Sequence, residues 1–483
     1  MPGLNNLDIL LEIMAVSRRE DRAHLMAASR ALYSHGARFL LREPPHIETQ
    51  QQLLSFLAFL SAQTDVRSKF LRHLELSPLY SWSTPACVRL ADALSRIHTL
   101  QSLTISGRYY GCLADPELIS ALAALPSLQE LRVHSYGLDC LDLLKTLRAQ
   151  VRRLIVDCPA YYNENIFNKF ADDDEWTAHH PIVVLEHSAP TLEELSISCW
   201  STHPDPEVAP SPNIIYPRMH TLSIKYGSLP VVLPLIRAYP NLEHLSFDFR
   251  YASPDEIEEY RLCNLNQQIL AGCTWRHLRA FAGDLADLYV LGLTCAIERV
   301  TLRTPAVYLG WPGTHRLGPT MVPVLTKARP RSLELDGWLT DVRGPRGDGK
   351  FAMFRGEGAS RLETLTVEGH LEGMEHVDVD VCAVLDDLLN SLKHSRLRHF
   401  AINIYTQHID PTSGVEGPDV PLGAAERAAQ DLDVEAALGK FVTAIPTLQT
   451  AVFSVQVPRD ALRTRKAVLT DGRVQFEEVW RTL

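Results

Sequence analysis

The sequence predicts an α/β solenoid, with parallel strands on a concave face and helices on a convex one, behind a small three-helix module at the N-terminus. Three observations carry this. A six-residue pattern recurs, as in Leu128-Gln129-Glu130-Leu131-Arg132-Val133: an apolar residue, two polar ones, then apolar–polar–apolar alternation. Alternation turns Leu131 and Val133 to one side of a strand and Arg132 to the other. So short a strand buries its apolar side only against others of its kind. Second, the chain supplies them. Clean copies also begin at Leu71, Leu100, Val151, Leu192, Met219, Leu242, Ile297, Leu362 and Leu397. Looser ones begin at Leu278, Pro330 and Leu448, where Gly283, Pro330 and Ala451 spoil an apolar slot. Third, most copies follow a stretch of helical periodicity.

From Leu71 to Leu448 is 377 residues in twelve steps, about 31 per step, close to the leucine-rich-repeat range. Steps vary from 19 to 51 residues, so an irregular leucine-rich-repeat solenoid is expected. Such an array grows by stacking, and 483 residues need not split into several globular domains. The expected division is residues 1–45 for the helical module and 46–483 for the repeats, with insertions near 160–181, 343–360 and 408–423.

Leu4 to Leu41 reads as three short helices. Asn5 or Asn6 can cap the first, and Ser17 with Glu20 makes a Ser-x-x-Glu capping box for the second. Arg30 to Leu41 gives the third, and Pro44-Pro45 ends the module. An amphipathic helix follows over Thr49 to Ala62, burying Leu53, Phe56, Leu57 and Leu60. Among the repeats, helical patterns span Cys87 to Ile97, Glu117 to Ala124, Leu138 to Leu147, Val231 to Ala238, Leu265 to Ala271 and Val381 to Leu392. Pro126, Pro240 and Pro446 punctuate the return to the next strand, because proline cannot continue a helix. An Ala-rich helix is expected from about Ala424 to Ile445, and Val474 to Trp480 closes the C-terminal end. Many leucine-rich repeats carry Asn or Cys just past the strand, where it satisfies loop backbone. Here Arg108, Tyr136, Pro159, Trp200, Gly227, Arg250, Pro305, His370 and Tyr405 stand there, so the backbone must be satisfied differently.

The N-terminal residues carry a family resemblance. Leu7-Asp8-Ile9-Leu10-Leu11-Glu12-Ile13-Met14, followed by Ser29-Arg30-Ala31-Leu32-Tyr33, resembles an F-box, particularly those of fungal F-box proteins with leucine-rich repeats. Asn5-Asn6 stand where the family begins Leu-Pro, Arg22 follows Asp21 where it has leucine, and Ser29 sits where cysteine is common. Each change removes apolar contact from the docking surface. The resemblance implies docking on the Skp adaptor of a cullin–RING ubiquitin ligase through Leu7, Ile9, Leu10, Leu11, Ile13, Met14, Leu25 and Leu32. The alternative from the residues alone is a helical cap on the end of the repeats.

Composition narrows the rest. Hydrophobic residues are 46 % and charged residues 22 %, ordinary for a globular chain. With 47 basic and 58 acidic residues the formal charge is −11, which argues against general binding to nucleic-acid phosphates. Nine scattered cysteines without a Cys-x-x-Cys fit reduced thiols in the cytoplasm or nucleus. No apolar run is long enough to span a membrane, and no signal peptide is expected.

Three stretches invite chemistry. Gly344-Pro345-Arg346-Gly347-Asp348-Gly349-Lys350 has the spacing of a phosphate-binding loop, but Phe351 takes the Ser/Thr place that would hold magnesium. It reads as a surface loop. His370, Glu372, Glu375, His376, Asp378 and Asp380 mix imidazole with carboxylates but match no metal-site spacing, and acids before a helix are favoured by its dipole. His179-His180 reads as exposed loop. No Gly-x-Ser-x-Gly, His-Glu-x-x-His or Gly-x-Gly-x-x-Gly occurs, so neither an enzyme, a cofactor nor a metal is expected.

The working surface follows from alternation. Residues between the inward Leu and Ile positions face outward: Arg132, His134, Tyr136, Trp200, Lys225, Asp248, Arg250, Arg303, His370 and Tyr405. Tyr, Trp and Arg are frequent interface anchors, and the mixture of aromatics and both charges favours a protein partner. With the resemblance, the expected function is the substrate-recognition subunit of an SCF-type ubiquitin ligase. The alternative is a non-catalytic leucine-rich scaffold without a ubiquitin role.

Overall fold

The computed structural model describes residues 6–107, 115–134, 139–157, 180–198, 213–227, 229–249, 253–303, 318–337, 351–371, 380–406, 422, 424–456, 463–470 and 472–480. The chain is mixed α/β and divides into two compact units, Met1–Leu242 and Glu243–Leu483.

The first unit opens with α1 (Asn6–Val16), α2 (Arg19–Ala28), α3 (Arg30–His35) and α4 (Ala37–Leu40). The single third helix expected from sequence is two. Gly36 separates them where a side chain would run into Met14 and Met26, so α1 and α2 close directly over the break. The expected capping box does not form. The helix begins at Arg19 with no side-chain cap, and the Ser17 hydroxyl instead donates back to the Ile13 carbonyl at 2.6 Å, prolonging α1.

Strand and helix then alternate: β1 (His46–Ile47), α5 (Gln50–Ser61), α6 (Thr64–Arg67), β2 (His73–Leu76), α7 (Thr84–Ser95), β3 (Ser102–Ser106), α8 (Pro116–Ala123), β4 (Glu130–His134), α9 (Asp139–Thr146), β5 (Arg153–Val156), α10 (Pro181–Val184), β6 (Glu194–Ser198), β7 (Thr221–Gly227) and α11 (Val232–Ala238). Thr49 and Gln52 form a reciprocal capping box at the start of α5. Strands β1 to β7 pair in chain order and all are parallel. The repeats fall in register: Leu74, Leu103, Leu131, Leu154, Leu195 and Leu222 form one buried rung, and Leu76, Ile105, Val133, Val156, Ile197 and Ile224 the next. Each buried Leu or Ile contributes about 1.5–3 kcal/mol of hydrophobic stabilisation, so a slipped register, which turns these side chains to water, is strongly disfavoured.

The second unit has β8 (His244–Phe249), α12 (Pro254–Ala271), β9 (Ala280–Gly283), α13 (Leu285–Val290), β10 (Arg299–Arg303), α14 (Gly318–Ala328), β11 (Ser332–Asp336), β12 (Thr364–His370), α15 (Val381–Leu392), β13 (His399–Tyr405), α16 (Ala424–Asp431), α17 (Val434–Ala444), β14 (Thr450–Gln456), β15 (Arg463–Thr470) and β16 (Arg473–Trp480). Strands β8 to β14 pair in order and in parallel, whereas β14, β15 and β16 pair antiparallel. The three looser copies of the repeat are all strands. Gly283 is a requirement there, since a Cβ would collide with the Phe247 carbonyl oxygen.

Other expectations change in this unit. The pattern at Leu265 to Ala271 is only the end of an 18-residue helix, started by a Ser253–Glu256 capping box and stopped by Gly272 in the left-handed region at φ 60°. The Ala-rich helix is two, because Asp433 caps a new one by accepting from Ala436 N–H at 2.9 Å. The latter half of the insertion expected near 343–360 is core: Phe351, Met353, Phe354 and Ala359 are buried. Phe351, which stands in the phosphate-loop serine position, stacks on Phe354. Residues 344–350 lie outside the described residues, as does the insertion near 160–181 up to 179.

The backbone question raised by the missing asparagines has an answer at the other end of the strand. Next to the first apolar residue of several repeats stands a Ser or Thr whose hydroxyl donates to a carbonyl of the preceding repeat. Thr99 reaches Leu71 O at 3.0 Å, Ser127 reaches His98 O at 2.6 Å, Thr191 reaches Val151 O at 3.0 Å and Thr447 reaches Leu397 O at 2.6 Å. Asn241 does the same to Pro217 O at 2.8 Å. Beside them, one carbonyl per repeat takes two N–H groups from the next. Arg72 O accepts from Gln101 and Ser102, Gln101 O from Gln129 and Glu130, and Gln129 O from Arg152 and Arg153. Stacked repeats are thus stitched where helix returns to strand.

Candidate functional site

The residues expected to make contact fall in two places: the N-terminal helices and the outward side of the strands. In the helices, Met14, Met26, Leu32 and Ala37 form the core, with Leu7, Leu10, Leu11, Leu25, Phe39, Leu40 and Phe59 packed partly against it. Met14 is 0 % and Leu32 2 % exposed. Both were expected to meet a partner, but the helical period turns them into the module, so they hold its helices together instead. Ile9 and Ile13 do face outward, 47 % and 44 % exposed, and Val16 continues their line at 86 %. Spacings of four and three put the three on one stripe of α1.

Two buried arginines fix that stripe in space. Arg22, expected only to remove apolar contact, lies inside the module. It donates to Met14 O at 3.0 Å, Phe39 O at 3.1 Å and the Glu43 carboxylate at 2.8 Å, tying α1 to α4. Arg67 is completely buried between the rings of Tyr33 and Phe59, each with its centroid 4.2 Å from the guanidinium carbon. It donates to Phe59 O at 2.6 Å and Tyr33 O at 3.2 Å. Tyr33 belongs to α3 and Phe59 to α5, so this cation joins the helical module to the first repeat. A desolvated cation between two π faces gains about 2 kcal/mol or more from the ring quadrupoles.

On the strands of the first unit, Glu130 is the hub. It pairs with Arg132 at 2.7 Å and Arg153 at 3.6 Å and accepts from Ser102 at 3.3 Å, while Arg153 also reaches Glu194 at 2.8 Å. Partial burial pushes the Glu130 carboxyl up, but the hydrogen bond and charge of Arg132 and the charge of Arg153 outweigh it and hold it below the usual carboxylate range. His134 lies 3.6 Å from Asp157, and Lys225 on β7 is exposed.

In the second unit, His370 stacks on Tyr405 with centroids 4.8 Å apart and lies 3.3 Å from Asp336. Arg303 is exposed on β10 in register with Asp336. Asp248 lies near two further acids, the half-buried Asp284 and the buried Asp287. Asp284 and Asp287 cap α13 reciprocally, each accepting the other's N–H at 2.7 Å, and Asp287 also accepts from Phe249 N–H at 3.1 Å. Burial pushes the Asp284 carboxyl up to about 6, and the Asp248 charge adds to this against the cap hydrogen bonds. Burial, then the Asp284 charge, raises Asp287 well above the ordinary value.

Of the ten outward residues expected, Tyr136, Trp200 and Arg250 lie outside the described residues. His370 and Tyr405 come together, and Arg132 and His134 stand two apart on one side of β4, each with its own acidic partner. The partners that organise them, Glu130, Arg153, Asp157 and Asp336, were not singled out from sequence, although the same alternation marks Glu130, Arg153 and Asp336. Of the acidic run, Asp380 caps α15, and Glu372, Glu375, His376 and Asp378 lie outside the described residues. His180 is not exposed loop. It is 3 % exposed, and its Nδ1 accepts from Ile182 N–H at 3.2 Å, capping α10.

No protein-family model matches this chain, and no curated protein matches it. Among the described residues no helix is long and apolar enough to cross a membrane.

Proposed function

We propose that this chain is the substrate-recognition subunit of an SCF-type cullin–RING ubiquitin ligase, an F-box-like module followed by an irregular leucine-rich-repeat solenoid. The observation that carries the reading is the outward stripe Ile9–Ile13–Val16 on α1, presented by a helical module that Arg67 anchors to the first repeat. The stripe docks on the Skp adaptor. Burying each of its side chains contributes about 1.5–3 kcal/mol before the cost of association. The outward strand residues Arg132, His134, Lys225, Asp248, Arg303, His370 and Tyr405 hold a protein substrate, and a separate conjugating enzyme does the chemistry. The chain's share of catalysis is proximity, keeping a substrate lysine near a loaded thioester.

Co-purification with the Skp adaptor tests this. Wild type is expected to retain the adaptor, and the double variant Ile9→Asp, Ile13→Asp to lose at least about tenfold, since a charge opposite an apolar surface stays unpaired. Equal retention, or none by either, removes the proposal. A second reading has its own support: Arg22 spends its charge inside the module and Arg67 fuses the module to the repeats, as a cap on a non-catalytic leucine-rich scaffold requires. Absence of adaptor from wild type favours that scaffold.

A further inference from the structure

The metal-like residues that sequence grouped around His370 share a stretch of chain. The fold groups His370 differently. Strand β11 ends at Asp336, and β12 carries Glu368 and His370, two apart and so on the same side of the strand. Asp336 and Glu368 are register partners. One ligand atom from each of Asp336, Glu368 and His370 lies within 4.8 Å of the other two, and all three residues are half-buried. Gly337, at φ 85°, turns the chain immediately after Asp336 and donates its N–H to Glu368 O at 2.6 Å, which fixes the two carboxylates side by side.

We infer that Asp336, Glu368 and His370 form a binding site for one divalent transition-metal ion of the zinc type. Three features point there. Two carboxylates directly opposite each other on neighbouring strands repel, and a cation between them removes that repulsion. The third group is an imidazole, which distinguishes the set from a mere acidic surface and selects zinc-like ions over magnesium or calcium. Finally, Tyr405, in register with His370 on β13, lies flat against that imidazole at 17°, holding the ring in a fixed plane before any ion arrives. Metal–ligand distances of roughly 2.0–2.2 Å call for ligand atoms roughly 3–3.5 Å apart. The His370–Asp336 edge is 3.3 Å already. A small rotation of half-buried side chains closes the rest. The remaining coordination positions face outward, where water or a carboxylate or imidazole of a bound protein can fill them. Arg303, in register with Asp336 on β10, is a competing charge. The inference stands independently of the ubiquitin-ligase reading.

Calorimetric titration of the full chain with zinc chloride, after chelator treatment, tests it. The expected result is one tight site per chain, weakened at least about tenfold in Asp336→Asn, Glu368→Gln and His370→Gln and unchanged in His399→Ala, a histidine of the next strand bound to Thr450. Replacing bound zinc with ferrous iron and ascorbate localises the ion in wild-type protein without any variant, since oxidative cleavage then maps to the chain around 336 and 368–370. No stoichiometric binding, binding that survives all three substitutions together, or cleavage centred elsewhere overturns the inference.

Discussion

Residues 1–242 and residues 243–483 are built on one repeat, yet they dispose of buried charge in opposite ways. The first unit buries a cation, Arg67, and solvates it with two aromatic faces and two backbone carbonyls. The second buries Asp287 beside the half-buried Asp284, and satisfies the pair with the backbone N–H groups of a helix start and of Phe249. A guanidinium keeps its proton at any ordinary pH, so the joint around Arg67 is indifferent to acidity. A carboxyl in a dry site takes up a proton instead, so the start of α13 depends on pH. Their outward faces differ likewise. Around Glu130 acid and base alternate and cancel, whereas Asp336 and Glu368 set like charges side by side.

The largest effect that can break this contrast is at Arg67. Arg67→Met keeps the volume but strands the Tyr33 and Phe59 carbonyls and loses both ring contacts, an expected cost of about 3–4 kcal/mol. Hydrogen exchange read by mass spectrometry should show protection falling in α3, α5 and β2 while β12 and β13 keep theirs. Uniform loss, or none, means the cation is not what joins module to repeat.

The next effect is smaller and opposite in origin. The folded pKa values of Asp284 and Asp287 are raised above the unfolded ones, so protonation favours the fold. That contribution is complete below the unfolded value near 3.8 and is lost as pH rises through about 6 for Asp284. Between pH 7.5 and 5.5 exchange protection around α13 should therefore grow by about 1 kcal/mol. Asp284→Asn, which keeps a good cap, should flatten the change. A slope that survives the substitution assigns it to other groups.

The smallest effect sharpens the comparison of surfaces. Glu130→Gln removes the hub of a half-exposed network, and such pairs contribute about 0–1 kcal/mol. Denaturant midpoints should hardly move, and the remaining difference should shrink in high salt. A loss well beyond that range would make the outward network structural rather than a surface available to a partner.

Much of this was legible in the chain. The hexads from Leu71 to Leu448 predicted strands, their order and their inward residues, because a period of two with neighbours of the same pattern leaves one way to bury Leu and Ile. The hydroxyl stitching has a sequence signature, Thr99, Ser127, Thr191 and Thr447 standing before the first apolar residue of a repeat, but its carbonyl partners lie about thirty to fifty residues away and show only in the fold. What sequence could not supply were distances between residues remote along the chain. Arg22 read as a lost leucine, Gly283 as a spoiled slot and Met14 as a docking residue, because each role depends on what packs across from it: the Phe39 carbonyl, the Phe247 carbonyl and Gly36. Periodicity is a local property, set by how each residue's backbone directs its side chain, and it determined which side of each element is apolar. Which charges meet on the other side, such as Glu130 with Arg153 or His370 with Asp336, was decided only by the register in which the repeats stack.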